Sequence, residues 1–569
     1  MHTLTRACLL VAMASATATA QRADLVIING DVYTVDSAHP RAQAIAVRGD
    51  RVVAVGTNAE IRKLADARTR RIDARGRLVI PGFIEGHGHY LSLGESKTQL
   101  DLTHAKNFDA IVAQVAQAVE TAPRGALIQG FGWHQEKWDR VPQPNVEGIP
   151  LHAALDRVSP NNPVVLDHAS GHASLVNGYA LKLAGITRDT PNPQGGEIVK
   201  DAKGEPTGLL RESADGLMQA GYARLPRPTP AQAEARFRRR VLAAGADALS
   251  KGVTSFQDAG TNFANIESLK RMAADGTLPV RLYVMVRGES DSSLDANLDR
   301  YRMIGFGGNM LTVRSVKELI DGALGSHGAW LLQPYTDMPT TSGINVKPMP
   351  DFERTARIAM KHDYQVGTHA IGDRANREVL DTYERIFRDN PDKHDLRWRI
   401  EHVQHLDPAD RPRFKQLGVI ASVQGVHAIS DGPWIPKRLG LERGNRISYS
   451  FRSLMDAGAI VLNGTDVPVE DVNPIMSFYG FVARKTNEGK VFVPEQRVTR
   501  EEALRSYTMN NAYGAFEENE KGSITPGKLA DIAILSRNIM TVAEDSIPGT
   551  RADVTIVGGK VRYDRSTRP

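Results

Sequence analysis

The stretch "LVIPGFIEGHGHY", residues 78–90, decides how the chain is read. It begins as a short apolar run, Leu78 to Ile84, and ends in Glu85, Gly86, His87, Gly88 and His89. Side chains alternate across a strand, so residues i and i+2 face the same way. His87 and His89 can therefore reach one atom together, and glycines at 86 and 88 leave room beside the backbone. An isolated H-x-H describes a polar loop equally well, so the reading turns on what the rest of the chain supplies.

At 569 residues the chain is too long for one simple core, and two or three structural units are expected. An apolar share of 41% and a charged share of 24% fit a globular protein. The net charge of +5 is small for this length, and there is no long basic stripe interleaved with aromatics, which argues against nucleic acid as a partner. The densest basic cluster, "RFRRR" at 236–240, sits in a helical pattern and reads as a solvated face. The first residues, "MHTLTRACLLVAMASATATAQR", read as a secretory signal peptide. Arg6 is its positive region, Ala7–Ala16 its apolar region and Ala18-Thr19-Ala20 its cleavage site. The only cysteine, Cys8, lies inside it, so the mature chain has neither disulfide nor thiol nucleophile. An exported, periplasmic protein without a membrane span is expected.

Residues 21–76 are rich in short β-like runs with turns at Asn29-Gly30 and Gly49-Asp50, both read as hairpins. Residues 520–569 answer them with "DIAILSRNIMTV" and "DVTIVGGKVRYD". Neither end has enough core alone, so one β-sandwich built from both termini is expected. Between them, β-like runs alternate with helical stretches, the pattern of a parallel sheet. Eight candidate strands, Leu78–Ile84, Val253–Gln257, Val280–Val286, Thr312–Ile320, Gln365–His369, Trp398–His402, Val419–Val423 and Ile460–Asn463, give a TIM-like (β/α)8 barrel over 77–94 and 229–519. The gap after the first strand is too long for one crossover, so 95–228 reads as an inserted α/β subdomain. It has a helix in "FDAIVAQVAQAVE", a strand in "NPVVLDHAS" and a turn-rich stretch, "TPNPQGGEIVKDAKGEPTG".

Barrel enzymes carry their chemistry at the C-terminal ends of the strands. Those ends here offer His87 and His89, Lys317, His369, His402 and Asp466. Singly, each has an ordinary reading: a packed histidine, a turn aspartate, a lysine paired with Asp321. Together they are the imidazoles and carboxylate a divalent metal needs. A buried lysine is costly unless modified or paired. Carboxylation by CO2 would make Lys317 an anion able to bridge two metals.

The motifs "PGFIEGHGH", "VKELIDGALGS", "HAIGDRAN", "IEHVQH", "ASVQGVH" and "NGTDVPVEDVNP" resemble, in order and from about residue 23 to the end, the amidohydrolase superfamily, specifically amidohydrolase family 3, including N-substituted formamide deformylase-like enzymes. The resemblance implies a metal-dependent hydrolase. His87, His89 and Asp466 would bind a first metal, carboxylated Lys317 would bridge, and His369 and His402 would bind a second. Glu85 stands where many members carry aspartate, and His327, in "GSHGAW", where relatives often have arginine. Trp133, His172, His327 and His427 are the candidate substrate contacts, and Arg374 reads as fixing a loop or helix start.

The expected reaction is hydrolysis of a non-peptide C–N bond in an amide, formamide or cyclic amide, with one or two divalent ions, zinc by default, and Asp466 as proton acceptor. The alternatives are the same site acting on a lactone, ester or other bond, and a non-catalytic regulatory relative. No G-x-S-x-G elbow supports a serine hydrolase. The expected partner is a small-molecule substrate, with homo-oligomerisation left open.

Overall fold

The computed structural model describes residues 22–225 and 229–567. The signal-peptide reading and Cys8 lie outside the described residues. Eight parallel strands form the centre: β1 (Phe83–Gly88), β2 (Val253–Thr261), β3 (Arg281–Val286), β4 (Leu311–Leu319), β5 (Gln365–Ala370), β6 (Arg399–His402), β7 (Ile420–Gln424) and β8 (Val461–Gly464). Each pairs with its sequence neighbour from β1 round to β8. All six residues of β3 are buried, as expected of a strand covered on both faces. The helix Pro230–Ser250 leads into β2, with a capping box of Thr229 and Gln232 at its start.

The run 78–84 does not form one strand. Leu78–Pro81 pairs with Ile532–Leu535 in a different sheet, and the barrel strand starts only at Phe83. The chain changes sheets at Pro81-Gly82, where a Cβ on Gly82 would lie 2.2 Å from the Thr254 side chain. Apolar residues on both sides of this step are buried, so hydrophobicity alone cannot mark it.

Two further sheets lie outside the barrel: one is built from residues 25–73 alone and the other joins both ends of the described chain. One has four strands in the order Arg51–Gly56, Ala44–Arg48, Leu25–Ile28, Arg70–Asp73. The other has six, in the order Lys560–Asp564, Ala552–Val557, Ile532–Leu535, Leu78–Pro81, Asp31–Tyr33, Arg41–Ala42. Leu25, Ile45, Val79, Ile532 and Ile556 belong to one buried cluster. Gly49-Asp50 does turn a hairpin, but Asn29-Gly30 does not: its flanking strands lie in different sheets. Asn29, with φ of 54°, turns the chain from one sheet to the other.

The segment after β1 holds more strand than its sequence suggested. A six-stranded sheet runs Gly196–Lys200, Pro206–Glu212, Ala173–Val176, Val164–His168, Ile128–Trp133, Leu100–Asp101. The turn-rich stretch is largely a hairpin of its first two strands. The helix Phe108–Thr121 buries Phe108, Ile111 and Val115. Among the described residues, no helix is long and apolar enough to cross a membrane.

Side chains join β1 to β8. Buried Asn511 donates from Nδ2 to Ile84 O at 2.5 Å and Asn463 O at 2.8 Å, and its Oδ1 accepts the Asn463 N–H at 3.2 Å. Asn511→Ala leaves those buried backbone groups without their partner, at a cost of about 2–4 kcal/mol. Thr229→Ala removes only a helix cap, worth about 1 kcal/mol. Thermal melts should show the larger fall for Asn511→Ala. An equal or smaller fall would mean that the barrel closes without this residue.

Candidate metal centre at the mouth of the barrel

His87 is the penultimate residue of β1, and His89 follows as the residue before helix Tyr90–Ser96. Their Nε2 atoms lie 3.4 and 3.2 Å from the same atom, Asp466 Oδ1. The i, i+2 spacing thus brings two rings to one carboxylate. Asp466 N–H donates to His87 O at 2.7 Å, and His89 N–H donates to Val467 O at 2.7 Å. Asp466 has φ of 58° and His402 φ of 78°, both left-handed. Such strain persists only where surrounding bonds enforce it, and it gathers at functional sites.

The other candidates close around this pair. The His402 ring lies 4.6 Å from that of His87 and 4.3 Å from that of His369, and its Nδ1 is 3.9 Å from Asp466 Oδ2. His89, Lys317, His369, His402 and Asp466 all line one cavity of about 780 Å³. The six residues offered by the strand ends therefore come together. Asp321 does not pair with Lys317. Its carboxylate accepts the N–H groups of Trp330, Ile371 and Gly372 at 2.8–2.9 Å, bracing the loops after β4 and β5.

The charge states suit a cation. Burial, helped by nearby Arg287, pushes the Lys317 ammonium down to about 7, so a neutral amine is accessible near neutrality. Burial also holds His369 and His402 well below the usual imidazole range. For Asp466 burial acts upward, but His402, His87 and His89 outweigh it and keep the carboxyl well below its ordinary value. Among the described residues, His87 Nε2, His369 Nε2 and Asp466 Oδ1 are buried without a hydrogen bond. Buried polar atoms are seldom left so. His87, His89 and Asp466 form a ready three-donor group for a metal ion.

A supporting layer was not singled out from the sequence. Glu401 Oε2 lies 2.5 Å from His87 Nδ1, which directs His87 Nε2 towards Asp466. Arg399 grips Glu401 at 2.7 and 2.9 Å and also donates to Gly86 O at 2.8 Å. Burial would raise Glu401, but Arg399 and His87 hold it well below the carboxylate range. The available signal was Arg399-x-Glu401, two charges on one face of a buried strand. Glu85, pushed up to about 8 by burial, accepts the Thr465 N–H at 2.5 Å and so ties β1 to the loop carrying Asp466.

The candidate substrate contacts divide. His172 lines both the first cavity and a second of about 470 Å³, and its Nδ1 is held 2.8 Å from Glu212 Oε2. His427 lines the second cavity; its Nδ1 accepts from Gln404 at 2.9 Å, leaving buried Nε2 without a hydrogen bond among the described residues. Trp133 borders the same cavity, but its indole N–H is committed to Leu166 O at 2.8 Å. His327 is not among the residues lining either cavity and contacts Asp337 at 3.1 Å. Arg374 stacks over Trp330 at 4.7 Å, as a loop-fixing residue would.

The sequence profile described as "Amidohydrolase family" matches residues 70–563. Protein LONG AFTER FAR-RED 3 of Arabidopsis thaliana is 34% identical over 95% of this chain and 92% of its own length. N-substituted formamide deformylase of Arthrobacter pascens is 30% identical over 96% and 99%. The crystal structure of an uncharacterized metal-dependent hydrolase from Pyrococcus horikoshii OT3 superimposes with a TM-score of 0.73 and 26% identity, over 92% of this chain and 99% of that one. With the profile spanning most of its length and relatives matching end to end, the chain belongs to the amidohydrolase family.

Proposed function

We propose that this protein is a metal-dependent amidohydrolase that hydrolyses a non-peptide C–N bond in an amide, formamide or cyclic amide. The observation that carries the reading is the buried set of donor atoms at Asp466, His87 and His369 left without hydrogen bonds among the described residues, beside a cavity of about 780 Å³. His87, His89 and Asp466 would hold one divalent ion, and His369 and His402 a second, with zinc the proposed metal. Lys317 would lie between them as a carbamate. Its neutral amine attacks CO2, an N–C bond forms, one C=O pair moves to oxygen and the amine proton leaves to water. A divalent ion at this site supplies a more acidic water and a polarised carbonyl.

The chain's own groups would do the rest. Asp466 accepts the proton of the attacking water and hands it to the leaving nitrogen. His172, which burial would lower but Glu212 raises so that the imidazolium carries a proton on both ring nitrogens, and His427, oriented by Gln404, offer N–H donors to the substrate carbonyl oxygen as negative charge develops there. Similarity to an N-substituted formamide deformylase supports a formamide among the substrates to be tried first.

The domain division goes with this reading: a β-sandwich of 21–76 and 520–569, a catalytic barrel of 77–94 and 229–519, and an inserted subdomain of 95–228. Export after cleavage near Ala20 rests on residues 1–20 alone, and the intact mass of protein from its native host tests it.

Asp466→Asn should reduce turnover by about 10³-fold or more while the protein remains folded. Near-normal kcat on the best substrate from a panel of N-formyl and N-acyl amines, lactones and esters would reject its role. Lys317→Ala should lower metal content in elemental analysis; unchanged content would reject the bridging carbamate. Glu401→Gln should weaken metal affinity by about 10–100-fold, because His87 loses the charge that orients it. Competition with a calibrated chelator measures this, and wild-type affinity would show that Glu401 serves only packing.

A further inference from the structure

Arg287 follows the last residue of β3 and lines the 780 Å³ cavity together with His89, Lys317 and Asp466. Arg287 is an exposed residue that contributes to the cavity wall. Among the described residues, no carboxylate lies within ion-pairing distance of its guanidinium, whereas several other charges around the cavity have partners. Lys347 is paired with Glu318 at 2.6 Å, His172 with Glu212, and Glu95 with Arg240 at 2.6 Å. Desolvation pulls Arg287 down from its ordinary pKa, as befits a cation in a partly closed space. The backbone makes room for it: Gly260 has φ of 141°, and a Cβ there would lie 2.5 Å from Arg287 Cδ. The stem is thus seated against β2, and the guanidinium shares the cavity with the donor cluster.

A second observation concerns the approach. A groove of about 810 Å³ is lined by Arg124, Arg224, Arg236, Arg239 and Arg240, with no acidic residue in its lining. Gln99 and Gln129 border both this groove and the cavity that holds Arg287. Part of the basic cluster first read as a solvated helix face therefore lines a groove beside the site, with Arg236 and Arg240 both paired with Glu95. Arg124, Arg224 and Arg239 have no ion pair among the described residues, and unpaired charge of one sign concentrates ligands of the other.

We infer that Arg287 anchors an anionic arm of the substrate, a carboxylate, while the scissile bond lies at the His–Asp cluster. The inference rests on the proposed hydrolase reading and names the substrate class for the same site. A planar guanidinium matches a carboxylate through two parallel hydrogen bonds. A single guanidinium offers one positive charge, the match for one carboxylate, and the acids that share the cavity wall, Glu289, Glu318 and Asp466 among them, disfavour a doubly charged phosphate.

The test uses the metal-loaded full-length protein and two matched pairs of probes. Hydrolysis of N-formyl-β-alanine is compared with that of its neutral amide, N-formyl-β-alaninamide. Binding of glutarate is compared with that of glutaramide by calorimetry, which needs no turnover. Wild type should favour the carboxylate of each pair by about 10–100-fold. Arg287→Met should collapse that ratio, chiefly through KM, with metal content retained; Arg287→Lys, which keeps the charge but loses the fork, should keep part of it. Equal handling of the two probes by wild type, a ratio that survives Arg287→Met, or loss of metal from Arg287→Met would overturn the inference. If neither formamide is hydrolysed yet glutarate binds through Arg287, the anion anchor stands and the C–N hydrolase reading is what fails. Inorganic phosphate bound more tightly than glutarate would overturn the carboxylate assignment.

Discussion

The site depends on how the first and last strands of the barrel are laced together. Asp466 N–H reaches His87 O, His89 N–H reaches Val467 O, and the Glu85 carboxyl takes the Thr465 N–H. These bonds hold Asp466 in a left-handed conformation that costs about 1–3 kcal/mol for a residue with a side chain. The return is directional: one carboxylate oxygen faces both histidines of β1. Asn511 fastens the same seam one level below. The closure of the sheet and the assembly of the donor cluster are thus one structural event.

Collecting these groups in a buried place is expensive unless their charges are answered. The chain answers some internally, through the run from His87 to Glu401 to Arg399. Among the described residues it leaves others without a hydrogen bond, notably His369 Nε2, 3.5 Å from Asp321 Oδ1, and Asp466 Oδ1, which only faces His87 and His89. A core selected for stability alone would pair or remove them. The contrast between the hydrogen-bonded run from His87 to Arg399 and donor atoms that touch one another without hydrogen bonds among the described residues is what a resident cation would explain. Lys317 fits the same pattern, since burial favours its neutral, CO2-reactive form.

Much of this was legible in the sequence, for identifiable reasons. Barrel strands are buried on both faces, so they stand out as short apolar runs, and their last residues carry the donors. The capping box of Thr229 and Gln232, with Pro230 in the first turn of helix Pro230–Ser250, is local chemistry of the kind a sequence displays directly. What was missed needed long-range information. Nothing local shows that Leu78–Pro81 and Phe83–Gly88 lie in different sheets, because both are uniformly buried. Asn29-Gly30 has hairpin chemistry but serves as a corner, since Leu25–Ile28 pairs with Ala44–Arg48 instead of the strand that follows it. The Gly- and Pro-rich stretch near 190–208 concealed a hairpin because its turn residues outweighed Glu197-Ile198-Val199-Lys200. Arg287 went unremarked because a single arginine after a strand has no signature; its meaning comes from the cavity wall it occupies.

The central claim is that six side chains from distant parts of the chain gather around divalent metal. Anomalous diffraction from crystals of the zinc-loaded protein, collected on both sides of the zinc absorption edge, tests it most directly. The account predicts a peak within bonding distance of His87, His89 and Asp466, with density extending beyond Lys317 Nζ. No peak there, with zinc bound elsewhere or absent, would contradict it.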